Sequence, residues 1–169
     1  MIRLETNRLR IREYQKEDLP QLHRILSDRE TMSFWPSPFD FGQSKQWLAN
    51  RGLELYPSGF GRFAVELKDS GELIGDAGLL RIEMNGDLEN DLGYIVHSNY
   101  WGHGFGYEAA YALMRYGFET LQLTRICANM PANHVASRNV ALKLGMVLEK
   151  QFLNPKNRDI LTYLYAKEN

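Results

Sequence analysis

Residues 100–110, YWGHGFGYEAA, place three glycines at alternate positions directly before a run of residues that favours helix. Glycine contributes no side chain to packing and loses more conformational freedom on folding than other residues. A turn with positive φ explains one or two of the glycines. All three before a helix favour an anion site, because free N–H groups and the helix dipole attract negative charge. The stretch therefore predicts a strand–loop–helix unit that binds an anion such as a phosphate.

The two common nucleotide motifs do not fit this spacing. A P-loop ends in Gly-Lys-Ser/Thr, whereas Gly106 is followed by Tyr107 and Glu108. The dinucleotide fingerprint is Gly-x-Gly-x-x-Gly, with an acidic residue about 20 positions later. Here the spacing is Gly-x-Gly-x-Gly, and residues 124–127 read TRIC, without a carboxylate. The spacing therefore disfavours a nucleotide-binding fold of either kind.

The flanking sequence predicts a single mixed α/β (α+β) domain over residues 1–169. Period-two alternation and turn signals predict strands, and apolar stripes with capping signals predict helices. The predicted order is one strand, two helices, three strands, a helix at 107–121, a strand at 125–129, a helix at 136–144 and two final strands at 146–152 and 160–166. On the strand before the glycines, Leu88, Leu92, Tyr94 and Val96 share one face, and Glu89 and Asp91 share the other.

Composition narrows the class of protein. The net charge is -1, which gives no electrostatic basis for binding nucleic acid, and no apolar run approaches a membrane span. The first residues, MIRLETNRLRIREY, are too charged for the core of a signal peptide. The chain has one cysteine, Cys127, so no internal disulfide forms, and a cytoplasmic location is expected.

The segment NYWGHGFGYEAAYALMRYGFETLQLTRICA resembles the acyl-CoA-binding core of the GNAT N-acetyltransferases. It is most similar to the branch that contains the ribosomal-protein N-terminal (alanine/serine) acetyltransferases. LETNRLRIREYQKEDL, LENDLGYIV, NHVASRNVALKLGM and the FWPSPF loop at residues 34–39 agree in the same order. The resemblance implies a mostly antiparallel central sheet with a splayed strand pair and flanking helices.

The resemblance also implies a function. It predicts acetyl transfer from acetyl-CoA to a primary amine by direct attack in a ternary complex, with a protein or peptide N-terminal amine as the favoured acceptor. A small amine such as a polyamine, aminoglycoside or amino acid remains an alternative acceptor. A non-catalytic acyl-CoA sensor is a further alternative, and a homodimer is left open.

The resemblance implies a cofactor site on three segments. In the glycine loop, residues 102–107, the backbone amides from His103 to Tyr107 are expected to hold the CoA pyrophosphate, and the backbone of residues 95–97 is expected to pair with the pantetheine arm. Either Asn133 or His134 also contacts that arm. The residues expected to bind acetyl-CoA are therefore Ile95, Val96, His97, Gly102, His103, Gly104, Phe105, Gly106, Tyr107, Asn133, His134 and Ser137.

Acetyl transfer to an amine needs a base for the amine and a group that serves the leaving thiolate. Asp91 and Glu89 are candidate bases because two carboxylates on one strand face raise each other's pKa. The resemblance ranks Asp91 first, since many members of the family carry a carboxylate at the matching position. The branch pattern offers another pair, with Glu149 as base and Ser137 at the sulfur. The four histidines show no metal-ligand spacing, so no metal is expected. Cys127 lies in an apolar strand and is expected to be a core residue.

Overall fold

The computed structural model describes residues 1–169, which form eight β-strands and four α-helices. The strands are β1 (Arg3–Glu5), β2 (Leu9–Arg12), β3 (Gly61–Leu67), β4 (Leu73–Met84), β5 (Asp87–Val96), β6 (Arg125–Pro131), β7 (Val147–Asn154) and β8 (Ile160–Glu168). The helices are α1 (Leu19–Leu26), α2 (Phe41–Leu48), α3 (Phe105–Glu119) and α4 (Val135–Lys143). None of the helices is long and apolar enough to cross a membrane.

The strands form one sheet in the order β1-β2-β3-β4-β5-β6-β8-β7. Every neighbouring pair is antiparallel except β5 and β6, which are parallel. These two strands pair at a single position, Asp91 opposite Cys127, and then separate. The predicted mixed, mostly antiparallel sheet with a splayed strand pair is therefore confirmed.

Helices cover both faces of the sheet. On one face, α3 and α4 pack against a core that includes Leu79, Leu92 and Leu113. On the other face, α1 and α2 pack against a smaller core that includes Leu22, Leu48 and Ile95. Because side chains alternate between faces along β5, Asp91 and Ile95 point towards α1 and α2, while Tyr94 and Val96 point towards α3.

The predicted element order is correct apart from β1, a three-residue strand that pairs only with β2. Leu88 is also an exception, because its side chain is 62% exposed although the alternation places it on the face of Leu92. The hairpin of β4 and β5 carries Leu88 beyond the helices, next to the turn at Asn85 and Gly86. Alternation therefore gave the correct face, but it could not tell where the helices stop covering the sheet.

Candidate functional site

A cleft opens in the sheet where β5 and β6 separate, and its volume is about 1110 Å³. Its lining includes residues 34–36 of the aromatic loop at residues 34–39, the end of β4 with the turn that follows, the end of β5, the glycine loop, the end of β6 with the start of α4, residues 154–157 between β7 and β8, and the side chains of Trp47, Arg51 and Arg62. Because the opening lies between the two strands, the cleft can be approached from both faces of the sheet. This arrangement suits two reactants that meet from opposite sides.

The glycine loop forms an unsatisfied anion-binding surface at the start of α3. Gly102 and Gly104 have φ values of 81° and 80°, which turn the chain sharply into the helix. Gly106 does not have a positive φ, and a Cβ at this position would be in ordinary contact with the Tyr94 ring, at 3.7 Å. The backbone N–H groups of residues 102–107 donate to no protein atom, and the first amide that does is Glu108, to the Gly104 carbonyl. The loop thus offers several free donors at a helix N-terminus.

Cations flank this loop on its outer side. Arg8 lies 4.3 Å above the Phe105 ring, and it is held there by Glu108, whose Oε2 accepts from Arg8 Nε at 2.7 Å. Lys143 lies 4.1 Å from the centre of the Tyr107 ring. These two side chains add positive charge beside the free amides and so reinforce their attraction for an anion.

Of the three predicted pantetheine residues at the end of β5, Ile95 and Val96 line the cleft, but only Val96 directs its main-chain groups into the opening. His97 donates its amide to the Ile74 carbonyl of β4 at 2.9 Å, and antiparallel partners exchange such bonds at alternate residues. The main chains of Ile95 and His97 therefore face β4, whereas those of Tyr94 and Val96 face the opening. Trp101 Nε1 donates to the Val96 carbonyl at 2.8 Å, which leaves the Val96 amide as the polar group of residues 95–97 on that side.

Asp91 lies at the point where the strands separate. Its side chain is buried and lines the cleft, and Asn129 of β6 donates to its Oδ1 at 2.9 Å. Burial raises the pKa of Asp91 to about 6, although the Asn129 hydrogen bond and the charge of Arg62 oppose the shift. A carboxylate with this pKa is ionised at neutral pH and still basic enough to accept a proton. The geometry favours Asp91 as the base.

Glu89 and Glu149 are held by Arg125 outside the cleft. Both Arg125 Nε and Nη2 donate to Glu89, at 3.0 and 3.1 Å, and Nη2 also donates to Glu149 at 2.6 Å. Neither carboxylate belongs to the cleft lining. The Arg125 hydrogen bond lowers the pKa of Glu149, which makes it a weaker base. The structure therefore separates Asp91 from the other two candidates, which form a cluster around Arg125.

Replacing Glu149 with glutamine tests this separation. Because Arg125 keeps Glu89 and Glu168 as partners, we expect Glu149→Gln to fold normally and to keep kcat within about threefold of the wild type, as for a surface change. Steady-state acetylation kinetics with saturating acetyl-CoA measure this. A loss of about 100-fold would instead identify Glu149 as the base.

Ser137 of α4 lies against Tyr94, a residue that the sequence did not single out. Their hydroxyl oxygens are 3.1 Å apart, and the Tyr94 hydroxyl is also 3.1 Å from the Ser137 carbonyl. Both residues line the cleft. Burial raises the pKa of Tyr94 to about 12, so its hydroxyl stays protonated at neutral pH. Alternation placed Tyr94 with the apolar residues of β5 and gave no sign of this pairing.

The structure distinguishes Asn133 from His134. The His134 ring stacks on Phe34 of the aromatic loop, with ring centres 3.8 Å apart, and burial lowers its pKa to about 4. Asn133 is exposed at the cleft and its side chain makes no hydrogen bond within the protein. His134 thus closes one wall of the cleft, whereas the Asn133 amide is free to bind a ligand.

Cys127 is fully buried, and burial raises the pKa of its thiol, as for a core residue. No group of three or more His, Cys, Asp or Glu side chains is arranged to hold a metal ion. The polar groups that line the cleft include Asp91 with Asn129, the two hydroxyls of Tyr94 and Ser137, and the side chains of Asn133 and Arg62.

Comparison with known proteins identifies the family to which this chain is similar. A family model described as the acetyltransferase (GNAT) domain matches residues 8–147. The uncharacterized N-acetyltransferase p20 of Bacillus licheniformis is 31% identical in an alignment of 172 residues, gaps included. The alignment covers 96% of this chain and 94% of that protein.

Solved structures share the whole fold at low identity. The ribosomal-protein-S5-alanine acetyltransferase of Vibrio fischeri has a TM-score of 0.83 and 22% identity, and the match covers 100% of this chain and 97% of that one. A ribosomal L7/L12 alpha-N-protein acetyltransferase in complex with coenzyme A has a TM-score of 0.82 and 16% identity, over 99% and 98% of the two chains.

Proposed function

The chain belongs to the GNAT acetyltransferase family and is an acyltransferase, and from this premise we propose that it acetylates a primary amine with acetyl-CoA as the donor. The favoured acceptor is a protein or peptide N-terminal amine, which attacks directly in a ternary complex. The observation that carries the proposal is the cleft through the sheet, with free amides on the α3 side and a buried carboxylate, Asp91, on the α1 and α2 side.

The residues on the α3 side fit acetyl-CoA. The free amides of residues 102–107 would hold the pyrophosphate, with Arg8 and Lys143 beside it. The Val96 amide and the Asn133 side chain would bind the polar groups of the pantetheine arm. Bound in this way, acetyl-CoA supplies a thioester carbonyl that an amine can attack. Related proteins support this assignment, because one neighbour of the same fold is in complex with coenzyme A.

Asp91 takes the proton of the acceptor amine. Its Oδ1 is occupied by Asn129, which leaves Oδ2 as the oxygen that receives the proton. On the opposite side, the Ser137 hydroxyl would donate a hydrogen bond to the leaving sulfur, and the Tyr94 hydroxyl would do so in place of its bond to the Ser137 carbonyl. A thiol has a pKa of about 8.5, well below about 12 for Tyr94, so Tyr94 stabilises the thiolate as a donor without being ionised by it.

The pKa of Asp91 favours an N-terminal amine over a lysine side chain. An N-terminal ammonium has a pKa of about 7.7 to 8.0, whereas a lysine ammonium has a pKa of about 10.4. Proton transfer to a carboxylate with a pKa of about 6 is therefore much less uphill from an N-terminus. The fold neighbour whose name describes a ribosomal L7/L12 alpha-N-protein acetyltransferase supports the same choice.

An amine-library screen tests the proposal. Thiol release from acetyl-CoA is measured with peptides of varied first residue, polyamines, aminoglycosides and free amino acids. We expect amine-dependent release, fastest with peptide N-termini. Faster release with a small amine would correct the acceptor but not the reaction. Tight CoA binding without amine-dependent release would instead identify a sensor, and failure to bind CoA would contradict the cofactor assignment.

A further inference from the structure

Arg62 of β3 is a buried cation on the acceptor side of the cleft. The residue is 3% exposed, and its Nε donates to Asp76 Oδ1 at 2.6 Å. Arg62 belongs to the cleft lining, whereas Asp76 is fully buried behind it and does not. The ion pair therefore presents its cationic member to the cleft and hides its anionic member.

Both carboxylate oxygens of Asp76 accept hydrogen bonds, whereas some of the N–H groups of Arg62 donate to no protein atom. Asp76 Oδ2 accepts from the Tyr14 hydroxyl at 2.8 Å and from Trp47 Nε1 at 3.2 Å, in addition to the Arg62 bond on Oδ1. Arg62 uses Nε, and its Nη2 donates to the Asp76 carbonyl at 3.2 Å, whereas Nη1 makes no hydrogen bond in the protein. A guanidinium has five N–H donors, and Nη1 is not among the buried unpartnered atoms of the chain, so it is accessible from the cleft that Arg62 lines. The unused donors of Arg62 thus point to a partner that enters through the cleft.

Two glycines let this side chain reach the site of proton transfer. Arg62 is opposite Gly78 of β4, which is opposite Gly93 of β5. A Cβ at Gly93 would lie only 2.0 Å from Arg62 Nη1, so the guanidinium rests directly on the β5 backbone. Asp91 is the next residue of β5 on the same face, about 7 Å along the strand at two residues of about 3.4 Å each. A cationic donor and the candidate base therefore lie side by side.

We propose that Arg62 binds a carboxylate of the acceptor, so that the substrate is an amine that also carries a carboxylate a few bonds away. This inference rests on the proposed acetyltransferase function and names the class of its acceptor. A guanidinium with free N–H donors binds a carboxylate in a charge-assisted hydrogen bond. The carboxylate is either the α-carboxyl of a free amino acid or the side chain of an acidic residue at the start of a peptide. Trp47, whose ring lies 5.3 Å from the guanidinium, forms the apolar wall beside it.

Matched acceptors test the inference. Each amino acid is compared with its amide, and peptides that begin with Asp are compared with peptides that begin with Asn. For the wild type we expect kcat/KM to be at least about tenfold higher for the carboxylate member, mainly through KM. The pair that shows the preference identifies the source of the carboxylate. Equal values in both pairs would overturn the inference while leaving the acetyltransferase function standing.

Variants connect the preference to Arg62. Arg62→Lys keeps a cation for Asp76 but loses the planar fork, so we expect the preference to fall below about threefold. The double variant Arg62→Met with Asp76→Asn removes both charges together, which avoids leaving one buried and unpaired, and should give the same loss. Arg81→Met, an exposed arginine of β4 outside the cleft, is the control and should keep the full preference. A preference that survives in both Arg62 variants would overturn the inference.

A binding measurement decides the inference independently of turnover. Calorimetric titration with N-acetyl amino acids and their amides, in the presence of CoA, should show tighter binding of the carboxylate form to the wild type but not to Arg62→Lys. CoA affinity should be unchanged in all variants, because the glycine loop lies on the other face of the sheet. If no amine is acetylated at all, the proposed function fails, and these titrations still test the carboxylate site.

Discussion

Replacing Asp91 with asparagine is expected to lower kcat by at least about 100-fold while making the folded protein more stable at neutral pH. The loss of kcat follows from the proposed role of Asp91 as the base, because an amide cannot accept the proton of the amine. The gain in stability follows from burial, which raises the pKa of Asp91 from 3.8 to about 6. Since the folded-state pKa lies above the unfolded one, folding favours the protonated form, and that stabilisation is lost as the pH rises through about 6.

The size of the stability gain can be bounded. One pKa unit corresponds to about 1.4 kcal/mol, so ionised Asp91 costs up to about 3 kcal/mol at pH 8. Asparagine has nearly the same shape, keeps an oxygen for the Asn129 bond and carries no charge to desolvate. Thermal unfolding at pH 5 and pH 8 should therefore show a larger stabilisation at pH 8. If Asp91 served only to stabilise the fold, its replacement would instead lower the unfolding temperature of the protein.

The pH dependence of activity provides the second measurement for Asp91. Wild-type kcat/KM should rise with an apparent pKa of about 6 as the base ionises, and this limb should be absent from the residual activity of the variant. Asp87→Asn is the matched control, because Asp87 is on the same strand but is exposed and pairs with Lys150. Full activity in Asp91→Asn, or the same loss in the control, would contradict the role of Asp91.

The residues next to the three carboxylates do not decide among them, and only the family resemblance ranked Asp91 first. Glu89 and Asp91 share a strand face, and a single chain gives them equal local surroundings. Their difference comes from β6, where Arg125 lies beside Glu89 and Asn129 lies beside Asp91. These partners are 36 and 38 residues away in sequence, and the register of one parallel pair decides which carboxylate receives which partner.

The sequence was sufficient to predict features that are formed by residues close together in the chain. The helix after the glycines and the element order from β2 onward depend on neighbouring residues, and the sequence predicted them, although it began α3 two residues too late. Arg62 and Asp76 are 14 residues apart on paired strands, and nothing near either residue indicates that they meet in a buried ion pair. The alternation of β5 placed Tyr94 on an apolar face, where an aromatic residue is usually part of the core, so its hydroxyl was not predicted to have a role. Features built from neighbouring residues were therefore predictable from the sequence, whereas the pairings of Arg62 with Asp76 and of Tyr94 with Ser137 required the fold.

Replacing Gly104 with valine is expected to weaken CoA binding by at least about 100-fold, a loss equivalent to one or two charge-assisted hydrogen bonds. Gly104 is the N-cap residue of α3, with a φ of 80°, and lies in the centre of the free amides. A Cβ there would meet only Arg8, at 3.6 Å, so the protein has room for a side chain but a bound pyrophosphate does not. Calorimetric titration with CoA measures the loss.

Valine at a positive φ also strains the backbone, by about 1–2 kcal/mol, so the loss must be separated from simple instability. Gly71→Val is the matched control, because Gly71 has a φ of 71°, has no atom within 4 Å of its Cβ position and lies in the turn between β3 and β4. Both variants should show a similar drop in unfolding temperature, and only Gly104→Val should lose CoA affinity. If Gly104→Val binds CoA as tightly as Gly71→Val does, the pyrophosphate is held elsewhere, and the free amides at the start of α3 have another partner.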